Sequence, residues 1–487
     1  MEFRLLVEAP AHSVRPSIVL DGRRWCLTEP LDVGSEGSDI PAYSCISYVW
    51  GLGRLKNPFY PNVEMSDHTL PALTAAMRNR DLTAFWIDAF CIPIDKARKR
   101  ATLESMGYIY ARAAQVVVVL SDTSWSAIDG IIRTEVKKTQ DFPDTFLRIL
   151  EQDEWIKSVW TYQEVVNGTN LSITAEGMGS QPIEGTSFLN ALGYYLTSFC
   201  RANGLNAFDI RERYPYLDAF EDLIADWRVA AWCDRSVFQA MSGMYRREWR
   251  EQANYFYSLI GTITGEASQR TSNPTIETLA ESFMKVCETK GDFSFIFSSA
   301  PRDSRPGFEW RPAPTILRPV LSWHTWGDSQ HGQRHANGVT LQDMYQLNRS
   351  SSLGDEARQE VLRRFWIPPE PLVSQSLLSW IIRRFGFTWN ERLTDAAVAK
   401  RLLVHLKQIG FTGCEQPLIF MEGFFFPQYP VSTISDIEVW ISTVVTWTFG
   451  APGLAVVMEA GRKAYVPGVF LGIRSGEGTG RQLELRD

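Results

Sequence analysis

The sequence is poor in the residues that build metal sites and disulfide frameworks. It has 7 cysteines and 6 histidines in 487 residues. The cysteines are dispersed, odd in number and never in Cys-x-x-Cys spacing, which indicates reduced thiols and argues against a zinc ribbon. His324, His331 and His335 lie in a polar segment without a nearby cysteine or a suitable set of carboxylates. We therefore predict no metal site.

Basic clusters and nucleotide-binding glycine motifs are also missing. The net charge is -7 and no long block of lysine and arginine occurs, which argues against a nucleic-acid partner. Neither a Gly-x-Gly-x-x-Gly motif nor a P-loop is present, and Gly51-Leu-Gly53 lacks the third glycine. We predict no resident cofactor.

Long apolar runs are scarce, and the N-terminus has no apolar core of signal-peptide length, so we expect a cytoplasmic protein. The uncharged stretch Val439–Met458 is just long enough to cross a bilayer, but Gly450-Ala-Pro-Gly453 interrupts it. A spanning helix needs about twenty predominantly apolar residues without such a break. We predict a β-hairpin with strands near 438–449 and 454–458, and no membrane partner.

The chain is, in contrast, rich in apolar and aromatic residues, with 17 Trp, 16 Tyr and 27 Phe, which predicts an ordered globular protein. In its first third, short apolar runs alternate with helical patterns. Gln115–Leu120 is a continuous valine-rich run, typical of a strand buried on both faces. This alternation predicts an α/β fold with a mainly parallel sheet flanked by helices.

The pattern changes after residue 180, which indicates several regions. Residues 1–180 are predicted to form the α/β domain, with a small β element in residues 1–30. Residues 181–320 are predicted to be a mainly helical extension, and 321–354 a flexible linker. Residues 355–487 are predicted to be helical, near 355–365, 374–385 and 393–409, and then β-rich from Leu418.

Three segments place polar, aromatic or acidic side chains where apolar runs end: Tyr43–Gly51, Phe85–Ile92 and Trp160–Glu164. Open α/β sheets bind ligands beyond the carboxyl ends of their parallel strands. The first segment offers Ser47, Tyr48 and Trp50 as ligand-lining residues. The alternative is an ordinary central strand with a bulky cap, since apolar-Trp-Gly is a weak motif.

The other two segments supply acids and a thiol. Asp88 stands in an apolar run, so it either pairs with buried donors or lies at a strand end facing a cleft. Cys91 has no evident activating base and is equally explained as a small buried hydrophobe. Glu164 lies one helical turn after Trp160, and an acid beside an aromatic wall becomes desolvated and reactive. The alternative is a solvated helix acid.

In order and wording these segments resemble the fungal heterokaryon-incompatibility (HET) domain. Tyr43–Gly51 resembles its opening strand, and Trp86-Ile-Asp through Cys91-Ile resembles its Trp-Ile-Asp-x-x-Cys-Ile segment. Trp160-Thr-Tyr-Gln-Glu resembles its Trp-Thr-x-Gln-Glu end. The similarity covers roughly residues 40–175, with a looser likeness at Tyr255–Gly261 and Phe293–Pro312.

The resemblance implies a flavodoxin-like fold related to Toll/interleukin-receptor (TIR) domains, some of which hydrolyse NAD. The TIR catalytic glutamate stands four residues after a tryptophan, as Glu164 follows Trp160. Glu164 is thereby the expected catalytic residue, with Ser47, Tyr48, Trp50, Asp88, Cys91 and Trp160 expected to bind substrate. The family's role would be non-self recognition and programmed cell death, with NAD as the substrate.

Departures from the family pattern leave alternatives open. Cys91-Ile-Pro-Ile stands where members usually read Cys-Ile-Asp-Gln, and Ser158 stands where an arginine is common. One alternative is a non-catalytic signalling or scaffold module that self-associates through the HET domain. Another is the same fold recruited as an enzyme of a secondary-metabolite pathway, acting on a nucleotide or another small metabolite.

Overall fold

The structure is a computed structural model of the 487-residue chain. Its described residues are 1–31, 33, 40–78, 83–137, 141–177, 181–205, 207–220, 223, 235–270, 274–323, 325–348, 395–415, 417–420, 423–431, 437–447, 449–459, 461–472 and 480–486.

The chain folds into two compact units that are discontinuous in sequence. Unit 1 comprises residues 1–233 and 246–275, and unit 2 comprises residues 234–245 and 276–487. The domain boundaries predicted from the sequence, at residues 180, 320 and 354, stay predictions.

Unit 1 is built on a mixed sheet flanked by helices. Its strands are β1 Leu6–Glu8, β2 Ser17–Leu20, β3 Arg23–Leu27, β4 Ser44–Tyr48, β5 Arg54–Lys56, β6 Glu64–Ser66, β7 Ala84–Trp86, β8 Gln115–Leu120, β9 Leu171–Ala175 and β10 Ile183–Glu184. Its helices are α1 Thr69–Arg78, α2 Asp88–Cys91, α3 Lys96–Glu104, α4 Met106–Arg112, α5 Asp122–Lys137, α6 Asp144–Gln152, α7 Glu154–Lys157, α8 Val159–Asn167, α9 Gly185–Asn203, α10 Ala207–Arg213 and the later helix Gln252–Ile263.

The strand order of the main sheet is β10-β9-β8-β4-β7-β1-β3-β2. The four central strands β9, β8, β4 and β7 are parallel, which confirms the predicted α/β class. Numbered along the chain, these four strands lie in the order 2-1-3-4, as in flavodoxin-like sheets. The N-terminal β element predicted in residues 1–30 forms β1–β3, which extend the sheet by antiparallel pairing.

The strands at the centre of this sheet are buried on both faces. All six residues of β8 and all five of β9 are buried. Strands covered by helices on both faces need apolar side chains at every position, not at alternate ones. The valine run therefore became a central strand with the bounds that the sequence predicted.

Unit 2 is β-rich. Its described strands are β11 Trp326–Gly327, β12 Gly332–His335, β13 Gly338–Gln346, β14 Leu418–Phe420, β15 Gly423–Pro427, β16 Glu438–Ser442, β17 Val445–Thr446, β18 Gly450–Glu459, β19 Arg462–Gly472 and β20 Arg481–Arg486. Its helices are Val237–Tyr245, Ile276–Lys290 and Asp395–Gln408, with 3₁₀ turns at Ser294–Phe297 and Thr412–Glu415. The larger sheet has the order β12-β13-β16-β18-β19-β15-β14, with β20 paired to β13.

The segment 439–458 forms antiparallel strands, as predicted, but its turn is displaced. Gly450–Gly453 lies inside β18, and the chain reverses before it, where Trp447 N donates to Gly450 O. A Cβ at Gly450 would lie 1.8 Å from the carbonyl oxygen of Phe470, so this glycine permits close approach of β19. The described residues contain no helix long and apolar enough to cross a membrane.

Two further predictions agree with the structure only in part. The predicted linker 321–354 contains β11, β12 and β13 in its described residues, and β13 buries apolar side chains such as Val339 and Leu341. The predicted helix 393–409 corresponds to Asp395–Gln408. The predicted helices 355–365 and 374–385 lie outside the described residues.

Candidate active site

The candidate site lies at the carboxyl end of β4, where the order of the sheet reverses. From β4 the chain proceeds to β7 on one side and then to β8 on the other. In open α/β sheets this reversal opens a crevice between neighbouring crossovers. Ser47 and Tyr48 end β4, Trp50 follows it, and Asp88 follows β7. The topology thus brings two of the three sequence segments to one edge.

Glu164 reaches this edge from α8, the helix that precedes β9. Ser47 Oγ donates a hydrogen bond to Glu164 Oε2, and Trp155 Nε1 donates to Ser47 Oγ at 2.8 Å. The Tyr110 hydroxyl, from α4, hydrogen-bonds the same carboxyl group. Glu164 is 8% exposed. An acid from one crossover, a serine from the central strand and a tyrosine from another crossover therefore converge.

This environment changes the acidity of Glu164. Burial raises its pKa from 4.5 to about 7, hydrogen bonds from Ser47 and Tyr110 oppose the rise, and the nearby charge of Asp88 adds to it. A carboxyl group with this pKa exchanges its proton near neutral pH. Burial in an apolar pocket raises the pKa of the general acid of lysozyme in the same way. Glu164 is thus equipped for proton transfer or for stabilising a developing positive charge.

Asp88 lies in a second cluster, which also includes Tyr48 and Trp50. Tyr48 Oη donates to Asp88 Oδ1 at 2.9 Å, and Trp50 Nε1 donates to Oδ2 at 2.6 Å. The backbone N–H of Ala89 donates to Oδ1 at 2.6 Å, at the start of α2. Burial raises the pKa of Asp88, and these three donors oppose the rise. Asp88 thus follows a strand end and pairs with half-buried donors.

Cys91 is not joined to either cluster. It is fully buried, its Sγ lies 4.0 Å from the carbonyl oxygen of Phe85, and burial raises its pKa to about 12. A thiol of this kind is protonated at neutral pH and is a poor nucleophile. Its surroundings are those of a small core residue.

Trp160 shares α8 with Glu164 but faces elsewhere. Its ring stacks on Tyr257 of the Gln252–Ile263 helix, with 6.5 Å between ring centroids and 16° between planes. The indole connected to Glu164 is that of Trp155, from the preceding short helix α7. Ser158, where an arginine was expected, caps α8 by accepting from Trp160 N at 3.3 Å.

Sequence reasoning missed Trp155 and Tyr110. Tyr110 lies on α4 beside the buried residues Met106 and Ile109, and these neighbours gave no sign that its hydroxyl would meet an acid. Trp155 precedes the recognised motif, and the only local signal was Asp153, whose carboxylate accepts from the N–H groups of Trp155 and Ile156 and starts α7. The cap fixes the direction of α7 and thereby of the Trp155 indole.

The turn after β4 forms the rim of the site. Gly51 has φ +56°, and a Cβ there would lie 2.9 Å from His68 Nε2. The backbone conformation and the contact with His68 both favour glycine at this position. His68 Nδ1 lies 2.7 Å from Glu176 Oε1, just beyond the end of β9.

Comparison with known proteins identifies one family. Residues 43–164 match the family model described as Heterokaryon incompatibility protein (HET). The match begins one residue before β4 and ends at Glu164, so it encloses both clusters. Neither a curated protein nor a solved structure matches the chain. The family resemblance stated from the sequence is confirmed for these residues.

Proposed function

Since residues 43–164 form a HET domain, we propose that this protein acts in fungal non-self recognition and starts programmed cell death by hydrolysing NAD. One observation carries the catalytic part. A nearly buried glutamate with a pKa of about 7 is held by two hydroxyl groups at the switch point of a parallel sheet. The TIR likeness contributes the choice of NAD and stays a prediction.

In the proposed reaction the bond between the nicotinamide nitrogen and the ribose breaks. Its electron pair leaves with nicotinamide, and positive charge develops on the ribose. The ionised Glu164 stabilises that charge, as glycosidase carboxylates do. Water then adds to the ribose and loses a proton, which gives ADP-ribose. Ser47 and Tyr110 hold the carboxyl group in one orientation, and Trp155 holds Ser47.

A second function, that of a non-catalytic scaffold, is supported by the packing of the same residue. Glu164 is only 8% exposed, and its carboxyl group is bound by Ser47 and Tyr110, as in a structural buried acid. Ser158 serves as a helix cap where an arginine was expected. A self-associating HET module would retain these contacts without turnover.

Nicotinamide release from NAD at high protein concentration tests the two candidates. We expect wild-type protein to release nicotinamide and Glu164→Gln to lose about 100-fold or more, since positioned general acids and electrostatic groups contribute roughly that much. Glu151→Gln is the matched control. Glu151 is also buried, but it accepts from the backbone N–H groups of Tyr216 and Leu217.

The control separates chemistry from folding. Glu151→Gln should keep nicotinamide release while Glu164→Gln loses it, with both proteins folded by circular dichroism. Folded wild-type protein that releases no nicotinamide would contradict the hydrolase and favour the scaffold. Sedimentation would then show whether the wild-type protein self-associates.

A further inference from the structure

Two arginines converge on the turn after β4. Arg54 Nη1 donates to the carbonyl oxygens of Trp50, Gly51 and Gly53, at 3.3, 3.2 and 2.7 Å. Arg250, which is distant in sequence but in the same unit, donates from Nη2 to the Gly51 oxygen at 2.9 Å. One carbonyl oxygen is therefore shared by two guanidinium groups.

Carboxylates compensate the positive charge at this turn only in part. Among the described residues no carboxylate lies within 4.0 Å of Arg54, whose guanidinium stands 5.7 Å from the centre of the Trp50 ring. Arg250 Nη2 has Glu154 Oε2 at 3.8 Å, but both side chains are more than half exposed. Such a pair contributes little. Asp67 adjoins the turn, since its Oδ2 would lie 1.8 Å from a Cβ at Gly53, but among the described residues it forms no ion pair with either arginine. Glu176 is engaged by His68.

Most of the hydrogen-bond donors of these arginines remain available. Each guanidinium has five N–H donors in a planar fork. Arg54 uses only Nη1 and Arg250 only Nη2 in contacts among the described residues. Two exposed forks anchored to the same backbone oxygen carry like charges, which an anion between them would stabilise. A phosphate group accepts such forks in bidentate fashion.

We propose that Arg54 and Arg250 form a diphosphate-binding subsite at the rim of the site, on the turn after β4. The turn they hold directly follows Ser47 and Tyr48, at the sheet edge where α/β proteins bind phosphates. A nucleotide whose diphosphate rests on the two guanidinium groups extends from the rim towards Glu164. This inference rests on the proposed function for its substrate, and it adds the group by which that substrate is held.

Calorimetric titration with ADP and with adenosine tests the subsite without requiring turnover. We expect ADP to bind at least tenfold more tightly than adenosine. Arg54→Gln and Arg250→Gln should each raise the Kd for ADP at least tenfold and leave adenosine unchanged. Arg250→Gln removes a single backbone contact, so it tests the subsite even if Arg54→Gln disturbs the turn. ADP bound no more tightly than adenosine would overturn the proposal.

Arg133→Gln is the matched control, because Arg133 is an exposed arginine of α5, paired with Asp129 at 2.6 Å. It should bind ADP as the wild type does, and an equal loss in this variant would show a non-specific charge effect and overturn the proposal. Arg54→Lys keeps the charge but not the fork, and it should bind ADP with intermediate affinity. Inorganic diphosphate that binds as tightly as ADP would overturn the assignment to a nucleotide.

Hydrolysis distinguishes the subsite from the proposed function. If NAD is hydrolysed, Arg54→Gln and Arg250→Gln should raise KM for NAD about tenfold and keep kcat within twofold. Their hydrolysis of nicotinamide riboside, which has no diphosphate, should equal that of the wild type. Arginine-dependent ADP binding without any nicotinamide release would refute the hydrolase and leave the subsite standing.

Discussion

Asp88 and Glu164 are two acids at one sheet edge, and their surroundings differ. Asp88 receives three hydrogen bonds, from Tyr48, Trp50 and the backbone of Ala89. Glu164 accepts hydrogen bonds from the hydroxyl groups of Ser47 and Tyr110. Burial raises the pKa of both, to about 7 for Glu164. A backbone N–H and an indole can only donate, whereas a hydroxyl can turn and accept.

This difference in hydrogen-bond partners indicates different roles for Asp88 and Glu164. Two of the three donors of Asp88, the Trp50 indole and the Ala89 N–H, can only donate and favour its ionised form, and the contacts of Asp88 join the ends of β4 and β7. The hydroxyl partners of Glu164 tolerate either protonation state, because each can donate to a carboxylate or accept from a carboxylic acid. A change of charge is therefore better accommodated at Glu164 than at Asp88. The following predictions test this contrast, beginning with the largest effect.

Removing the Asp88 carboxylate should destabilise the protein more than neutralising Glu164. Asp88→Ala leaves the Trp50 indole and the Ala89 N–H without their acceptor, whereas Tyr48 keeps Thr69 as a partner. Each such loss costs about 1–3 kcal/mol, so we expect a fall of about 2 kcal/mol or more in the free energy of unfolding, measured by urea denaturation at pH 7. Glu164→Gln should cost about 1 kcal/mol or less. Equal losses would remove the distinction between the two acids.

The pH dependence of the free energy of unfolding should reveal the raised pKa of Glu164. Its pKa is about 7 in the folded protein and ordinarily 4.5. Below pH 4.5 the group is protonated in both states, whereas between pH 4.5 and 7 only the unfolded state releases its proton. The free energy of unfolding should therefore fall across this window, by up to about 3 kcal/mol.

Glu164→Gln has no proton to lose and should lack this decrease. Urea denaturation of both proteins from pH 4 to 8 should show the variant gaining on the wild type as the pH rises, with no further gain above pH 7. Stability curves that stay parallel over the whole range would place the pKa of Glu164 at its ordinary value.

The two tryptophans near Glu164 should differ, although only Trp160 was predicted to matter. Trp155→Phe removes the donor to Ser47, and we expect nicotinamide release to fall about tenfold, equivalent to about 1.4 kcal/mol. Trp160→Phe preserves an aromatic ring against Tyr257 and should change release less than threefold. A larger loss of nicotinamide release in Trp160→Phe would favour the original prediction that Trp160 binds the substrate.

The sequence predicted the fold well where one local signal sufficed. The valine run of β8 can pack only between two helical layers, so its bounds were correct. The turn near Gly450 was misplaced because glycine serves both turns and close strand contacts, and only the position of Phe470 distinguishes them. Local patterns do not reveal which strand will approach.

The candidate site was predicted less completely because its partners come from separate crossovers. Ser47 and Glu164 were singled out, but their contact depends on how α8 packs beside β4. The contact made by the Trp155 indole was not predicted, because attention fell on Trp160, which lies in the recognised motif. Arg250 lies almost two hundred residues from the turn that it contacts, and no spacing within the sequence joins the two.

The order of the two units along the chain has a practical consequence for expression of the HET domain. The helix Gln252–Ile263 belongs to unit 1, although the chain enters unit 2 before reaching it. Asn167 Nδ2 donates to the Gly261 carbonyl at 3.0 Å, and Tyr257 stacks on Trp160. A fragment that stops at residue 180 would leave α8 without this neighbour and expose its apolar face. Recombinant fragments intended to carry Glu164 should therefore extend through residue 275.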